Sequence, residues 1–134
     1  SVQHTLPGQV PPGDWTGGGL IIDLQKGAAP MDLSGYSYVE FEFKVMNSQD
    51  LNKLRFKLED TSDKLTIEIP LSEGGATFGG DWEMVRLPLA KFSERTRRTP
   101  DHQQGVNLKQ VTKLVFVAEN QGGQMLIDNI RFLK

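Results

Sequence analysis

The sequence has no cysteine. Disulfides, thiolate metal sites and a cysteine nucleophile are therefore excluded, and the absence fits an exported bacterial protein. Histidine is almost as scarce, with His4 near the start and His102 in a polar stretch. Neither has the local spacing of a zinc site, and neither is placed to serve a Ser-His-Asp triad. Charge of one sign is also lacking: 15 Lys plus Arg stand against 17 Asp plus Glu, for a net charge of -2. Such a balance argues against nucleic acid as the partner, because phosphate neutralisation drives that binding. No apolar run approaches the ~20 residues that a membrane helix needs. The chain starts at Ser1 without an initiator Met and without a signal-peptide pattern, as expected of a mature or excised fragment.

What is present is a series of short alternating runs. The 134 residues suit one domain, 1–134. A chain of this length buries roughly two thirds of its unfolded surface, so a core forms without staples. In "YVEFEFKVM", Val39, Phe41, Phe43 and Val45 face one way and Tyr38, Glu40, Glu42 and Lys44 the other. "KLRFKLED" sets Leu54, Phe56 and Leu58 against Arg55, Lys57 and Glu59. "KLTIEIP" sets Leu65, Ile67 and Ile69 against Lys64, Thr66 and Glu68, and "TSD" between these two runs predicts a hairpin. Further strands are predicted over 19–25, 83–88, 113–118 and 125–133, with a weakly signalled one within 1–10. Helix is confined to single turns at 89–92 and 107–111. Short strands broken by Gly, Pro, Asn and Asp predict an all-β, antiparallel β-sandwich, a jelly roll of two sheets.

The last strand, "MLIDNIRF", carries Asp128 and Asn129 among apolar residues. A buried carboxylate is costly unless something pairs with it. A metal, backbone amides in a bulge, Arg131 or Arg86 are the candidates. The loop "SERTRRTPDHQQG" (93–105) concentrates Arg95, Arg97 and Arg98, and reads as a solvated loop or as a basic contact for an acidic ligand. "GGATFGGD" lacks the Lys and the strand–helix setting of a phosphate loop.

Three segments in order resemble a known pattern. "MDLSGYSYVEFEFKV" leads a short Asp-Leu-Ser turn into a long strand, "DWEMVRLPLAKF" carries Trp, Val and Leu-Pro-Leu at set spacing, and "LKQVTKLVFVAENQGGQMLIDNIRF" closes on Ile-Asp-Asn-Ile. Together they are similar to the β-sandwich carbohydrate-binding modules of the galactose-binding-like superfold, of families 11, 4 and 22, over about residues 14–134. The resemblance implies a non-catalytic module, secreted, that binds polysaccharide or oligosaccharide and is linked to a catalytic domain in a larger glycan-degrading enzyme. β-Glucan or another plant or algal glycan is the implied ligand, with no nucleic acid and no membrane. It places strands 19–25, 53–59, 64–69 and 113–118 in one sheet, whose outward residues are then Arg55, Lys57, Glu59, Thr66, Glu68 and Glu119, with Trp15 at one end. It also implies a structural calcium, with Asp128 as ligand beside acids such as Asp14 or Asp32.

The residue types suit sugar. An aromatic ring stacks on the C–H face of a pyranose, and planar carboxylate and guanidinium groups bridge neighbouring hydroxyls. Trp15, in "PPGDWTGGGL", is the expected platform; Trp82 is expected to pack into the core, and Phe78 is a third aromatic in a loop. Aromatics are only 8% of the chain, which points to weak affinity or to a charged polysaccharide. If the opposite sheet is used, Glu40, Glu42, Lys44 and Arg86 replace these residues. The alternative to a sugar site is a structural or protein-interaction sandwich, in which the same charges form a solvated, ion-paired face. Carboxylate pairs such as Glu40 with Glu42 occur on ordinary sheets, and no catalytic activity is expected.

Overall fold

The computed structural model describes residues 3–5, 10–14, 19–25, 29–48, 54–77, 79–118 and 123–134, and the side chains of 20–25, 29–44, 54–77, 79–117 and 126–134. Nine strands are described: β1 (Gln3–Thr5), β2 (Val10–Asp14), β3 (Gly19–Asp23), β4 (Tyr38–Ser48), β5 (Leu54–Asp60), β6 (Ile69–Pro70), β7 (Glu83–Pro88), β8 (Val111–Ala118) and β9 (Gly123–Leu133). One sheet runs β1-β9-β4-β7, with β2 also paired to β9; the other runs β3-β8-β5-β6. All strand pairings are antiparallel. The expected two-sheet sandwich is observed, and of the four runs grouped in one sheet from the sequence, 19–25, 53–59 and 113–118 supply β3, β5 and β8 of that sheet, while 64–69 enters it only at Ile69. The single helix turns occur at α1 (Ala90–Ser93) and at a 3-10 turn over Leu108–Gln110.

The alternation in β4 and β5 is what makes two faces. Val39, Phe41 and Phe43 are fully buried, as are Phe56 and Leu58 across the sandwich. Phe41 of one sheet meets Phe116 edge-on at 5.0 Å and Phe56 at 5.3 Å, both from the other sheet. Phe56 and Phe116 lie 4.8 Å apart, and Phe92 of α1 closes on Phe56 at 5.6 Å. These offset and edge contacts are the favoured arrangements of aromatic quadrupoles.

Two expectations are corrected. The run 64–69 is not a strand paired throughout with β5; only Ile69 and Pro70 pair, opposite Phe56 and Arg55. The backbone of 65–67 instead bonds Gln104, with Gln104 N donating to Leu65 O and Ile67 N donating to Gln104 O. Thr66 and Ile67 are therefore both buried while Leu65 is 58% exposed, which breaks the period of two. Trp82 is not core either, being 41% exposed just before β7. Strand β2 was not signalled, because Pro11 and Pro12 read as breakers; it lies alongside β9 with a register shift between Val10 and Gly13, where proline is tolerated.

Asp60 ends β5 and ties the turn that follows it to the segment before the Leu108–Gln110 turn. Its Oδ1 accepts from Ser62 N and Ser62 Oγ, and its Oδ2 accepts from Asn107 N at 2.7 Å. Burial opposes ionisation, but the Ser62 and Asn107 bonds, with nearby Lys64, outweigh it and hold the carboxyl below its ordinary range.

Two predictions follow from the packing. Phe41→Ala should cost about 3–5 kcal/mol, read as a lower urea midpoint, since it opens a cavity where both sheets meet. Asp60 has a folded-state pKa below its unfolded one, so its contribution is complete above roughly pH 4 and fades as pH falls through the folded value. Asp60→Asn should therefore be less stable than wild type at pH 7, with the gap closing in acid melts.

Candidate functional site

The outer face of β3-β8-β5-β6 is set by the residues that alternate with Leu54, Phe56 and Leu58. Register puts Arg55 beside Val117 and Gly19 in one row, Lys57 beside Val115 and Ile21 in the next, and Glu59 beside Lys113 and Asp23 in the third. Arg55 also faces Pro70 of β6. The middle of the face is aliphatic, with Ile21 61% exposed, and its β5 side is charged.

Those charges are paired. Arg55 Nη1 donates to Glu68 Oε1 at 3.3 Å, and Lys57 Nζ lies 3.0 Å from Glu59 Oε2. None of the four is freely solvated: their side chains are between 14% and 34% exposed. Glu68 is held from the backbone side too, where its N donates to Gln103 Oε1 at 3.1 Å. The structure thus brings Arg55, Lys57, Glu59 and Glu68 together on one side of the sheet. It does not place Thr66 with them. Thr66 is 1% exposed, and its hydroxyl donates to Leu58 O at 2.6 Å, so it is a core-side strut and not an outward group. Trp15, Glu119 and Phe78 lie outside the described residues.

Beyond edge strand β6 the face opens on a cleft of about 390 Å³, lined by Glu68, Pro70, Arg98 and Gln103 among others. Its far wall is the 93–105 loop. Arg95 folds that loop, donating to Pro100 O, Asp101 O and Gln103 O, so it is a structural cation. Sequence reasoning did not foresee Gln103, whose buried amide joins this loop to β6; nothing in its local pattern distinguishes it from the exposed Gln104 beside it.

The opposite sheet has its own polar face. Glu40 is 4% exposed and clamped, with Arg86 Nε and Nη2 on Oε2 at 2.9 and 2.8 Å and Arg131 Nη2 on Oε1 at 2.9 Å. Asp128 meets neither arginine. Glu40 pairs with Arg131 and Glu42 with Asp128, so β9 carries an extra residue opposite Phe41. In this bulge Asn129 takes φ 52°, the one non-glycine residue at positive φ among the described residues. Asp128 Oδ1 accepts from Asn129 N at 2.8 Å, and Asn129 Nδ2 donates to Glu42 Oε2 at 2.9 Å. Ile127 and Ile130 both reach the core, at 0% and 4% exposure, while Asp128 and Asn129 are turned outward. The bulge is how an acid sits inside an apolar strand without being buried.

For calcium, the described residues do not assemble a ligand set: no three His, Asp or Glu side chains cluster among them. Asp32 spends its Oδ1 on Ser34 N and Oγ, which forms the turn that leads towards β4. The side chain of Asp14 lies outside those described.

Comparison with known proteins agrees with this architecture. Residues 1–134 match the family described as Carbohydrate binding domain 30. No curated protein sequence matches the chain. The family 30 carbohydrate-binding module of a cellulosomal cellulase of Clostridium thermocellum is similar at TM-score 0.65 and 18% identity, over 98% of this chain and 73% of that one. A second solved family 30 module is similar at TM-score 0.60 and 22% identity, over 85% of this chain and 66% of that one. A family 11 module from Clostridium thermocellum, solved with a β-1,3-1,4-mixed-linked tetrasaccharide, is similar at TM-score 0.54 and 17% identity, over 98% and 87%. At such identities these structures speak to the β-sandwich fold. The match along the whole sequence speaks to the family: the chain belongs to the carbohydrate-binding domain 30 family, and is a carbohydrate-binding module of the β-sandwich type.

Proposed function

We propose that the outer face of β3-β8-β5-β6 is the sugar-binding face, and that it takes one chain of a β-glucan-type polysaccharide. The observation that carries this is the pairing of Arg55 with Glu68 and Lys57 with Glu59 beside aliphatic Ile21 and Val117, of which Ile21 is 61% exposed, with Val115 covered between them. Ion pairs held in place on a sheet present fixed donors and acceptors to hydroxyl edges and lose little freedom on binding. Ile21, with Val117 beside it, offers apolar surface to the C–H face of a ring. Because Arg55 and Lys57 are each paired with an acid, the face suits a neutral glycan better than the charged one that low aromatic content suggests. The cleft past β6 lets the chain continue off the sheet.

The module is non-catalytic in this reading. Carboxylates that hydrolyse glycosides flank the bond in a cleft, whereas Glu40, Glu42, Glu59 and Glu68 lie on sheet faces and each engages a cation or an amide. Its role is to hold a secreted, larger glycan-degrading enzyme near its substrate by raising local concentration. A calcium near Asp128 rests on the family resemblance.

Affinity electrophoresis tests the face. The panel is β-glucan, xyloglucan, glucomannan, xylan, pectin and alginate. Wild type should be retarded by a neutral glucan, and Arg55→Ala should weaken retardation about tenfold, the loss of one charge-assisted pair of hydrogen bonds. Retention of full affinity by Arg55→Ala would move the site elsewhere. Melting in EDTA against calcium tests the metal: a bound structural ion should raise Tm with calcium concentration, and identical melts would dismiss it.

A further inference from the structure

The sugar face proposed above leaves the opposite face of the sandwich unexplained, and that face is built, not merely solvated. Three rows cross it. Register places Arg86, Glu40 and Arg131 side by side over β7, β4 and β9. The next row sets Met84, Glu42 and Asp128 together. Glu40 pins both guanidinium groups, and the Tyr38 ring lies against Arg86 with its centroid 5.5 Å from the guanidinium carbon. Arg86 is thereby oriented yet 56% exposed. The bulge supplies the other polar group, turning Asn129 outward onto Glu42 at a backbone angle that costs energy for any residue with a Cβ. Regular strand geometry would have put one of Asp128 or Asn129 in the core.

Apolar surface completes the arrangement. Trp82, Met84 and Tyr38 are 41%, 49% and 37% exposed. Met84 lies on edge strand β7 and Trp82 just before it, while Tyr38 lies on β4 opposite Pro88. Pro88, which pairs with Tyr38, is six positions along the chain from Trp82, so the two residues' backbone positions stand roughly 20 Å apart along the strand direction. Between them lie a thioether and a fixed guanidinium. Lys44, Arg86 and Arg131 are balanced by Glu40, Glu42 and Asp128, so the face has no net field to attract a polyanion. Aromatic platforms at two ends, an oriented planar donor between them and balanced charge are the chemistry of a neutral polymer of hydroxylated rings, in a family that binds carbohydrate.

We propose that the outer face of β9-β4-β7 is a second polysaccharide-contact surface, along Trp82, Met84, Arg86 and Tyr38, for a neutral glucan chain. The module then grips polymer on both sides of one sandwich, and its apparent affinity for polysaccharide exceeds that for a short oligosaccharide through the paired contacts. The proposal rests on the sugar reading of the module and is separable from the first face by variants.

The test is affinity electrophoresis of the full chain in gels of soluble mixed-linkage β-glucan, with Arg55→Ala, the Tyr38→Ala/Trp82→Ala double variant, and all three changes combined. The Tm of the double variant, measured beside wild type, separates loss of fold from loss of contact; Arg86→Gln, which leaves Arg131 on Glu40, gives an independent reading of the same face. Expected is about tenfold weaker retardation for each single-face variant, with residual binding, and none for the combination. Arg55→Ala alone abolishing all retardation, or Tyr38→Ala/Trp82→Ala migrating as wild type, would overturn the second face and leave the first. Wild-type retardation lost in the Tyr38/Trp82 variant but unchanged in Arg55→Ala would support the second face and remove the first. A wild-type dimer in sedimentation that Trp82→Ala dissolves would assign the strip to a second copy of the chain and overturn the proposal. No retardation of wild type would overturn both readings.

Discussion

The contact of Phe41 with Phe56 and Phe116 is the constraint from which the rest of the molecule follows. It joins the long central strand of one sheet to two neighbouring strands of the other, at centroid distances of 5.0 and 5.3 Å. Strand alternation then leaves no freedom. With Phe41 inward, Glu40 and Glu42 must face out; with Phe56 inward, Arg55 and Lys57 must face out. A one-residue slip in either strand would bury its charges, so the hydrophobic contact fixes both polar faces at once.

Much of this was legible in the sequence because the signal was periodic. Strand β7 was predicted at its observed bounds, and β4 and β5 followed from unbroken alternation. Legibility failed where tertiary partners replaced the ladder. In 64–69 the pattern of Leu65, Ile67 and Ile69 reads as a strand, yet Gln104, thirty-eight residues beyond Thr66 in the chain, takes the backbone bonds of 65–67. Thr66, placed outward by the same pattern, was drawn inward by Leu58 O. Local propensity does not encode a bridge to a distant loop. Of the outward residues named from the sequence, Arg55, Lys57, Glu59 and Glu68 share a face, because β5 is regular and Glu68 adjoins β6.

Asp128 shows the opposite case, in which a sequence anomaly was real but its meaning lay in geometry. An acid and an amide inside an apolar strand signalled a metal, an arginine or a turn amide. The observed partner is the amide of Asn129, and the mechanism is the extra residue opposite Phe41. That the arginines go to Glu40 instead follows from register, since Arg86 and Arg131 flank Glu40 directly on both neighbouring strands. Two guanidinium groups on one carboxylate also compensate its burial, which a single partner would do less completely.

The two proposed sugar faces meet the same physical problem by different means. A weakly aromatic module cannot rely on stacking alone, so orientation of polar groups has to carry more of the recognition. On β5 this is done by pairing each cation with an acid close by, at the cost of the free charge that would draw in a polyanion. On β4 it is done by one buried carboxylate that serves two cations and leaves Arg86 exposed beside Tyr38. The first arrangement makes a balanced, partly covered surface; the second leaves a planar donor and apolar ledges standing at a sheet edge. On the proposed reading, a ligand suited to either is neutral and ring-faced, and a sandwich that carries both on opposite sides can engage separate chains of one polymer.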